Sequence, residues 1–280
     1  MRERGKLEPT DKCVTVNSLR LHYLEWGNEE AQPMVLVHGY GAHAHQWDAF
    51  SRAMCSEYHV LALDLRGHGD SEWSREGYSE TIFARDLAAF VGVLGLRAMV
   101  LAGLSLGGLV AMCYMAEHGD RVSRLVIVDI GPEIAPAAYQ NVKQSLATTP
   151  DEFNSLEEAF QFARSRDDTS SDEDVHGSLR HDLRQLPGGR WGWKYDRLLR
   201  RPGLDAWPGM PDLWPVLANI RCPTLVVRGE NSDILSPRVA RRMAETLPHG
   251  RLVTVPGAGH NVPRDRPGAF LRVVRAFLET

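Results

Sequence analysis

Cysteine is scarce and scattered. The four that occur, Cys13, Cys55, Cys113 and Cys222, form no C-x-x-C pair, so neither a disulfide framework nor a cysteine-built zinc site is expected. No stretch approaches the roughly 18 apolar residues of a membrane span, and the polar segment Met1 to Asp11 has no apolar core of the kind a secretory leader requires. A soluble, cytoplasmic protein is expected. Long basic runs are also missing and the net charge is −4, which argues against nucleic acid or an anionic membrane as a partner. Internal repeats and low-complexity linkers are absent too. What remains is a chain of 280 residues, 43% hydrophobic, long enough for one large α/β domain with an insertion.

Short apolar runs alternate with helix-length amphipathic segments, the pattern of a mostly parallel sheet covered on both faces. The runs Met34 to Val37, Val60 to Leu63, Met99 to Ala102, Leu125 to Val128, Thr224 to Val227 and Leu252 to Val255 are the buried-strand candidates. Helices are expected at Trp47 to Ser56, Ser79 to Leu94, Gly107 to His118, Pro237 to Leu247 and Pro263 to Leu278. Ahead of them, Lys12 to Val16 and Leu19 to Trp26 flank Asn17-Ser18 and predict an antiparallel hairpin. From about Glu133 to Trp214 no convincing strand is found, only short helical candidates such as Asp151 to Arg164 and Ser171 to Leu186. Residues 1–132 and 215–280 are therefore expected to form the core, with 133–214 a helical lid over the carboxyl ends of the strands.

Gly103-Leu104-Ser105-Leu106-Gly107 stands between a strand candidate and a helix candidate. A G-x-S-x-G at such a junction forces the serine into a strained turn and exposes its hydroxyl as a nucleophile. A serine nucleophile needs a base and an orienting acid. His260 follows the strand ending at Val255 on the loop Pro256-Gly257-Ala258-Gly259 and is the general-base candidate. Asp233 follows the strand Thr224 to Val227 and is the preferred acid, because Gly229 and Ser232 suit a turn that exposes a carboxylate. Asp129, after Val128, is its rival, although Asp129-Ile130-Gly131-Pro132 looks like an exit turn into the lid.

With these motifs in place the chain resembles the α/β-hydrolase family over nearly its whole length outside the lid. The resemblance rests on His38-Gly39-Tyr40-Gly41, Asp64-Leu65-Arg66-Gly67-His68-Gly69-Asp70-Ser71, the Ser105 elbow, Gly229 to Asp233, and Gly257-Ala258-Gly259-His260. It implies an α/β-hydrolase fold with a mostly parallel eight-stranded sheet. It further implies that Ser105 attacks a carbonyl, that His260 takes its proton and returns it to the leaving group, and that Asp233 fixes the imidazole tautomer. Backbone N–H groups of Tyr40 and Leu106 would form the oxyanion hole. The Asp64 to Ser71 motif is in the family mostly architectural.

Carboxylic ester hydrolysis of a small or medium molecule is the leading expectation, without a cofactor. C–C hydrolysis, lactone opening, thioester hydrolysis and perhydrolysis use the same triad, and a non-catalytic ligand-binding role is also known in the fold. A serine at the elbow excludes the relatives that carry aspartate there, the haloalkane dehalogenases and most epoxide hydrolases. Pocket walls are sought in His38, Gly39, Trp191, Trp193 and Trp207, though the indole rings serve equally as the lid's own core. Gly39-Tyr40-Gly41-Ala42-His43-Ala44 with Asp64 beyond matches a dinucleotide fingerprint, but that leaves Ser105, Asp233 and His260 unexplained. His38, His43 and His45 crowd one loop without a carboxylate at evident ligand spacing, so no metal is expected. Oligomeric state is not legible.

Overall fold

The computed structural model describes residues 8–167, 170–200 and 211–280. Six strands come first: β1 (Thr10–Val16), β2 (Leu19–Trp26), β3 (Gln32–Val37), β4 (Tyr58–Leu63), β5 (Met99–Leu104) and β6 (Val122–Val128). Between and after them lie α1 (Asp48–Met54), α2 (Glu80–Val93) and α3 (Leu106–His118). The inserted segment carries α4 (Pro136–Ala147), β7 (Glu152–Phe153), α5 (Leu156–Arg164), α6 (Asp172–Asp182), β8 (Leu183–Gln185) and β9 (Trp191–Trp193). The chain then returns through α7 (Trp214–Asn219), β10 (Thr224–Gly229), α8 (Pro237–Thr246), β11 (Gly250–Val255), α9 (Val262–Asp265) and α10 (Pro267–Leu278).

Eight strands form one sheet in the order β1-β2-β4-β3-β5-β6-β10-β11. The hairpin strands β1 and β2 pair antiparallel, β2 meets β4 antiparallel, and every other pair is parallel. The two-residue turn of the hairpin is made by Asn17 and Ser18, both at positive φ (47° and 61°), as a type I′ turn requires. Strands β5 and β10 are buried at every position, which is why they read as continuous apolar runs and not as alternations. The sheet separates two apolar layers. On one side α2, α3, α7 and α8 supply residues such as Phe90, Leu109, Val110, Leu217 and Met243. On the other, Trp47, Phe50, Met54, Phe270 and Phe277 cover Leu36, Val100 and Val126. Each such side chain contributes about 1.5–3 kcal/mol on leaving water, so Leu101→Ala at a fully buried strand position should cost about 2–5 kcal/mol.

The insertion is not purely helical, contrary to expectation. Strands β7, β9 and β8 form a small antiparallel sheet in that order, and its pieces of two or three residues are too short to carry a readable period. Phe153, Ala159, Phe160, Val175, Leu179 and Leu183 make a separate apolar cluster there. Among the described residues no helix is long and apolar enough to cross a membrane.

Candidate active site

Ser105 leaves β5 with φ 53° and ψ −118°, a conformation L-residues rarely adopt, and caps the N-terminus of α3. Close backbone contact holds it there. A Cβ on Gly103 would stand 2.2 Å from the Gly107 carbonyl oxygen, and one on Gly107 would stand 2.2 Å from that of Val37. Only glycine fits at either place. The Ser105 N–H donates to the Val128 carbonyl at 3.0 Å, tying the elbow to the end of β6. The loop after β3 lies against the nucleophile, since a Cβ on Gly39 would sit 3.5 Å from the Ser105 Cβ.

Asp129 follows β6 directly. Its own φ is 51°, its N–H donates to the Val227 carbonyl at 2.8 Å, and its side chain is fully buried. Oδ1 accepts the Gly229 N–H at 2.8 Å, while Oδ2 accepts both the Ser232 hydroxyl and the His260 Nδ1–H, the latter at 2.8 Å. This corrects the sequence-based choice of acid: Asp233 is exposed, and the carboxylate on His260 is that of Asp129. The physical reason is the turn after β10, in which Ser232 N–H closes on the Gly229 carbonyl and brings Ser232, one residue earlier than Asp233, against Asp129.

The loop bearing His260 is fixed from both sides. Asn231 N–H donates to the Ala258 carbonyl at 2.8 Å, Gly257 N–H to Glu230 Oε2 at 2.9 Å, and Gly259 N–H to Asp265 Oδ2 at 2.8 Å. A Cβ on Gly229 would fall 1.9 Å from the Gly259 carbonyl oxygen, so the two strand-end loops meet backbone to backbone. His260 itself remains about one-third exposed (32%), leaving an edge of its ring accessible.

Other expected site residues are distributed differently. His38 is buried, with Nδ1–H donating to the Gly39 carbonyl at 2.7 Å and Nε2 accepting the Leu65 N–H at 3.0 Å. With both nitrogens committed to backbone it is a brace between the β3 and β4 loops and not a pocket wall, and burial pushes its pKa down to about 4. Gly39 is held by its N–H to Gln46 Oε1 at 2.9 Å. The Tyr40 hydroxyl donates to the Leu199 carbonyl, attaching its loop to the insertion. Leu106 is buried as the first residue of α3, where helix N–H groups have no intrahelical partner.

Trp191 is half-buried against the insertion's cluster, and Trp193 donates Nε1–H to the Pro150 carbonyl at 2.8 Å with its ring 5.4 Å from that of Phe153. Trp191 packs the insertion and Trp193 packs both the insertion and the main core; Trp207 lies outside the described residues. Tyr195 was missed. Its ring stands over Gly41, 3.6 Å from where a Cβ there would be, and it stacks on Trp193 at 5.6 Å.

Asp64 does not await a ribose. Oδ1 accepts the Ala44 N–H at 2.6 Å, and Oδ2 accepts the Asp70 N–H at 2.9 Å and meets His22 Nδ1 at 2.7 Å. Burial alone would raise its pKa, but the His22 hydrogen bond and the neighbouring charges hold it down to about 2. A saturated, buried carboxylate belongs to the scaffold, and the dinucleotide fingerprint loses its acidic residue.

Residues 32–267 match the model of the alpha/beta hydrolase fold family. The chain belongs to that family. A 3-hydroxybutyrate-oligomer hydrolase of Cupriavidus necator is 29% identical, the match covering 89% of this chain and 90% of the relative. The esterase Rv0045c of Mycobacterium tuberculosis is 28% identical over 99% of this chain and 93% of its own. The crystal structure of an alpha/beta hydrolase from Novosphingobium aromaticivorans superposes with a TM-score of 0.84 at 27% identity, covering 97% and 98% of the two chains. The eight-stranded sheet and its surrounding helices carry the architecture of that family.

Proposed function

We propose that this α/β hydrolase is a serine esterase acting through Ser105, His260 and Asp129 on carboxylic esters of small or medium size. The observation that carries the proposal is the buried Asp129 carboxylate hydrogen-bonded to His260 Nδ1 beside the elbow that presents Ser105. Asp129 holds the imidazole with Nδ1 protonated, so Nε2 is free to take the Ser105 proton as the hydroxyl oxygen attacks the ester carbonyl. The tetrahedral oxyanion forms against the N–H groups of Tyr40 and Leu106, the second lying at the positive end of α3. Collapse expels the alcohol, which takes the proton back from His260, and leaves an acyl-enzyme. Water activated by the same imidazole then releases the acid.

The insertion acts as the lid. Its Tyr195 over Gly41 and its Leu199 carbonyl on Tyr40 stand next to the proposed oxyanion loop, so the acyl group is selected there. The names of the two relatives, an oligomer hydrolase and an esterase, support an ester substrate. A fluorophosphonate should label Ser105 stoichiometrically and leave Ser105→Ala untouched; folded protein that takes no label would overturn the proposal. A panel of p-nitrophenyl esters graded in acyl length would then place the cut-off set by the lid, and inactivity on every ester despite labelling would move the assignment to a C–C, lactone or thioester bond.

A further inference from the structure

We infer that His45, Asp48 and His181 form a binding site for a zinc-class divalent cation that ties the lid to the core. One ligand atom from each of the three lies within 4.8 Å of the others. His45 and Asp48 stand three residues apart at the entry to α1, with Nδ1 and Oδ2 at 3.0 Å. His181 comes from the last turn of α6 in the insertion, and its ring stacks on that of His45 with centroids 3.7 Å apart. No sequence spacing joins His181 to the other two; the fold does. The carboxylate absent from the loop-histidine pattern is therefore supplied by Asp48.

Two features point to a ligand. The second carboxylate oxygen of Asp48, Oδ1, is buried without a hydrogen-bond partner, an unfavourable arrangement that calls for a cation or donor. Among the described residues, moreover, neither ring nitrogen of His181 takes part in a hydrogen bond, although the ring is half-buried between His43 and His45. The other histidine–carboxylate cluster, His22 with Asp64 and Asp70, behaves differently, because backbone N–H groups and each other already occupy its carboxylate oxygens on Asp64.

Two imidazoles and one carboxylate suit zinc and its late first-row neighbours, with a fourth position left for water. Ligand atoms on tetrahedral zinc stand about 3.3–3.6 Å apart, whereas the three present atoms lie within 4.8 Å of one another with the His45–Asp48 pair at 3.0 Å, so binding requires adjustment of the set and the rings, now tilted by 29°, must fan apart. An ion there would bridge the end of α6 to the loop that runs back from His45 to Tyr40, beside the existing contact of His43 Nε2 with Asp182 Oδ1 at 2.9 Å.

Zinc titration of the full chain against a chromophoric chelator tests the site, with hydrogen exchange followed at 43–48 and 176–183. One ion per chain is expected, with slowed exchange in both segments. Affinity should fall at least about tenfold in His45→Gln and in His181→Gln, and persist in His260→Ala, each checked for native circular dichroism. Failure to bind zinc, wild-type affinity in either glutamine variant, loss of binding in His260→Ala, or binding without protection of both segments would each overturn the inference. Because none of these readouts needs an ester, the outcome is separable from that of the esterase proposal.

Discussion

His260 Nδ1 lies 2.8 Å from Asp129 Oδ2, although 131 residues of chain separate the base after β11 from the acid after β6. Exchanging the carboxylate for an amide removes the charge and the tautomer control together. Asp129→Asn should lower kcat/KM for a p-nitrophenyl ester by roughly 10⁴-fold, whereas Asp233→Asn, on an exposed side chain, should stay within about threefold. The reverse ranking in steady-state assays would refute the assignment.

Gly229 is a second point of sensitivity. An alanine methyl there would collide with the Gly259 carbonyl at 1.9 Å, and relief requires the β10 and β11 loops to part. Gly229→Ala should destabilise by about 1–3 kcal/mol and depress kcat more than KM, since His260 rides on the displaced loop. Urea unfolding together with steady-state kinetics separates the two effects.

Arg66 and Asp86 form a buried bidentate pair, 2.5 and 2.7 Å, that bolts the loop after β4 to α2. Without the Asp86 charge, the buried Arg66 keeps, among the described residues, only the exposed Glu76 carboxylate at 3.6 Å as a charged partner. Asp86→Asn should cost about 3–5 kcal/mol in urea unfolding, while replacing both residues by apolar ones of similar volume should cost much less; equal losses would show that the pair's charge is not what matters.

Acid sensitivity follows from His38 and His68. Burial holds His38 at about 4, and burial with the neighbouring His38 ring holds His68 at about 3, against about 6.5 for the unfolded chain. Both folded values are depressed, so their stability contribution is complete above pH 6.5 and is lost as pH falls toward 4, by up to about 1.4 kcal/mol per pH unit for each ring. His22 is shifted the other way: burial opposes protonation, but the Asp64 hydrogen bond and charge prevail, so its contribution changes above pH 6.5 and not in this window. His68→Leu should therefore reduce the slope between pH 6 and 4.5 by up to about 1.4 kcal/mol per pH unit, as measured by urea unfolding at each pH.

The elbow was legible because its two glycines are demanded by contacts two residues either side of Ser105, and the strand before it is apolar without interruption. His260 was legible from a strand followed by a glycine-rich loop. The acid was not. Asp129 and Asp233 both follow strands, and what separates them is register: Val128 pairs with Val227, so Asp129 continues the ladder into the site, while the turn from Gly229 brings Ser232 and not Asp233 against it. Patterning along one segment carries no information about a hydrogen bond between two. The short strands of the insertion escaped for a related reason, since Trp191 to Trp193 pairs with neighbours on both sides yet spans too few residues to alternate. His38 looked like a pocket residue because its position in the motif says nothing about where its ring nitrogens are spent.

The insertion keeps its own apolar cluster around Phe153, Phe160 and Leu179, yet its two ends are rooted in the main core through Ala138 on the way out and Leu199 and Leu213 on the way back. Such a unit is modular. A graft whose junctions lie between those roots and the small cluster would exchange as a cassette the part that the esterase proposal makes responsible for acyl selection, leaving the sheet beneath it intact.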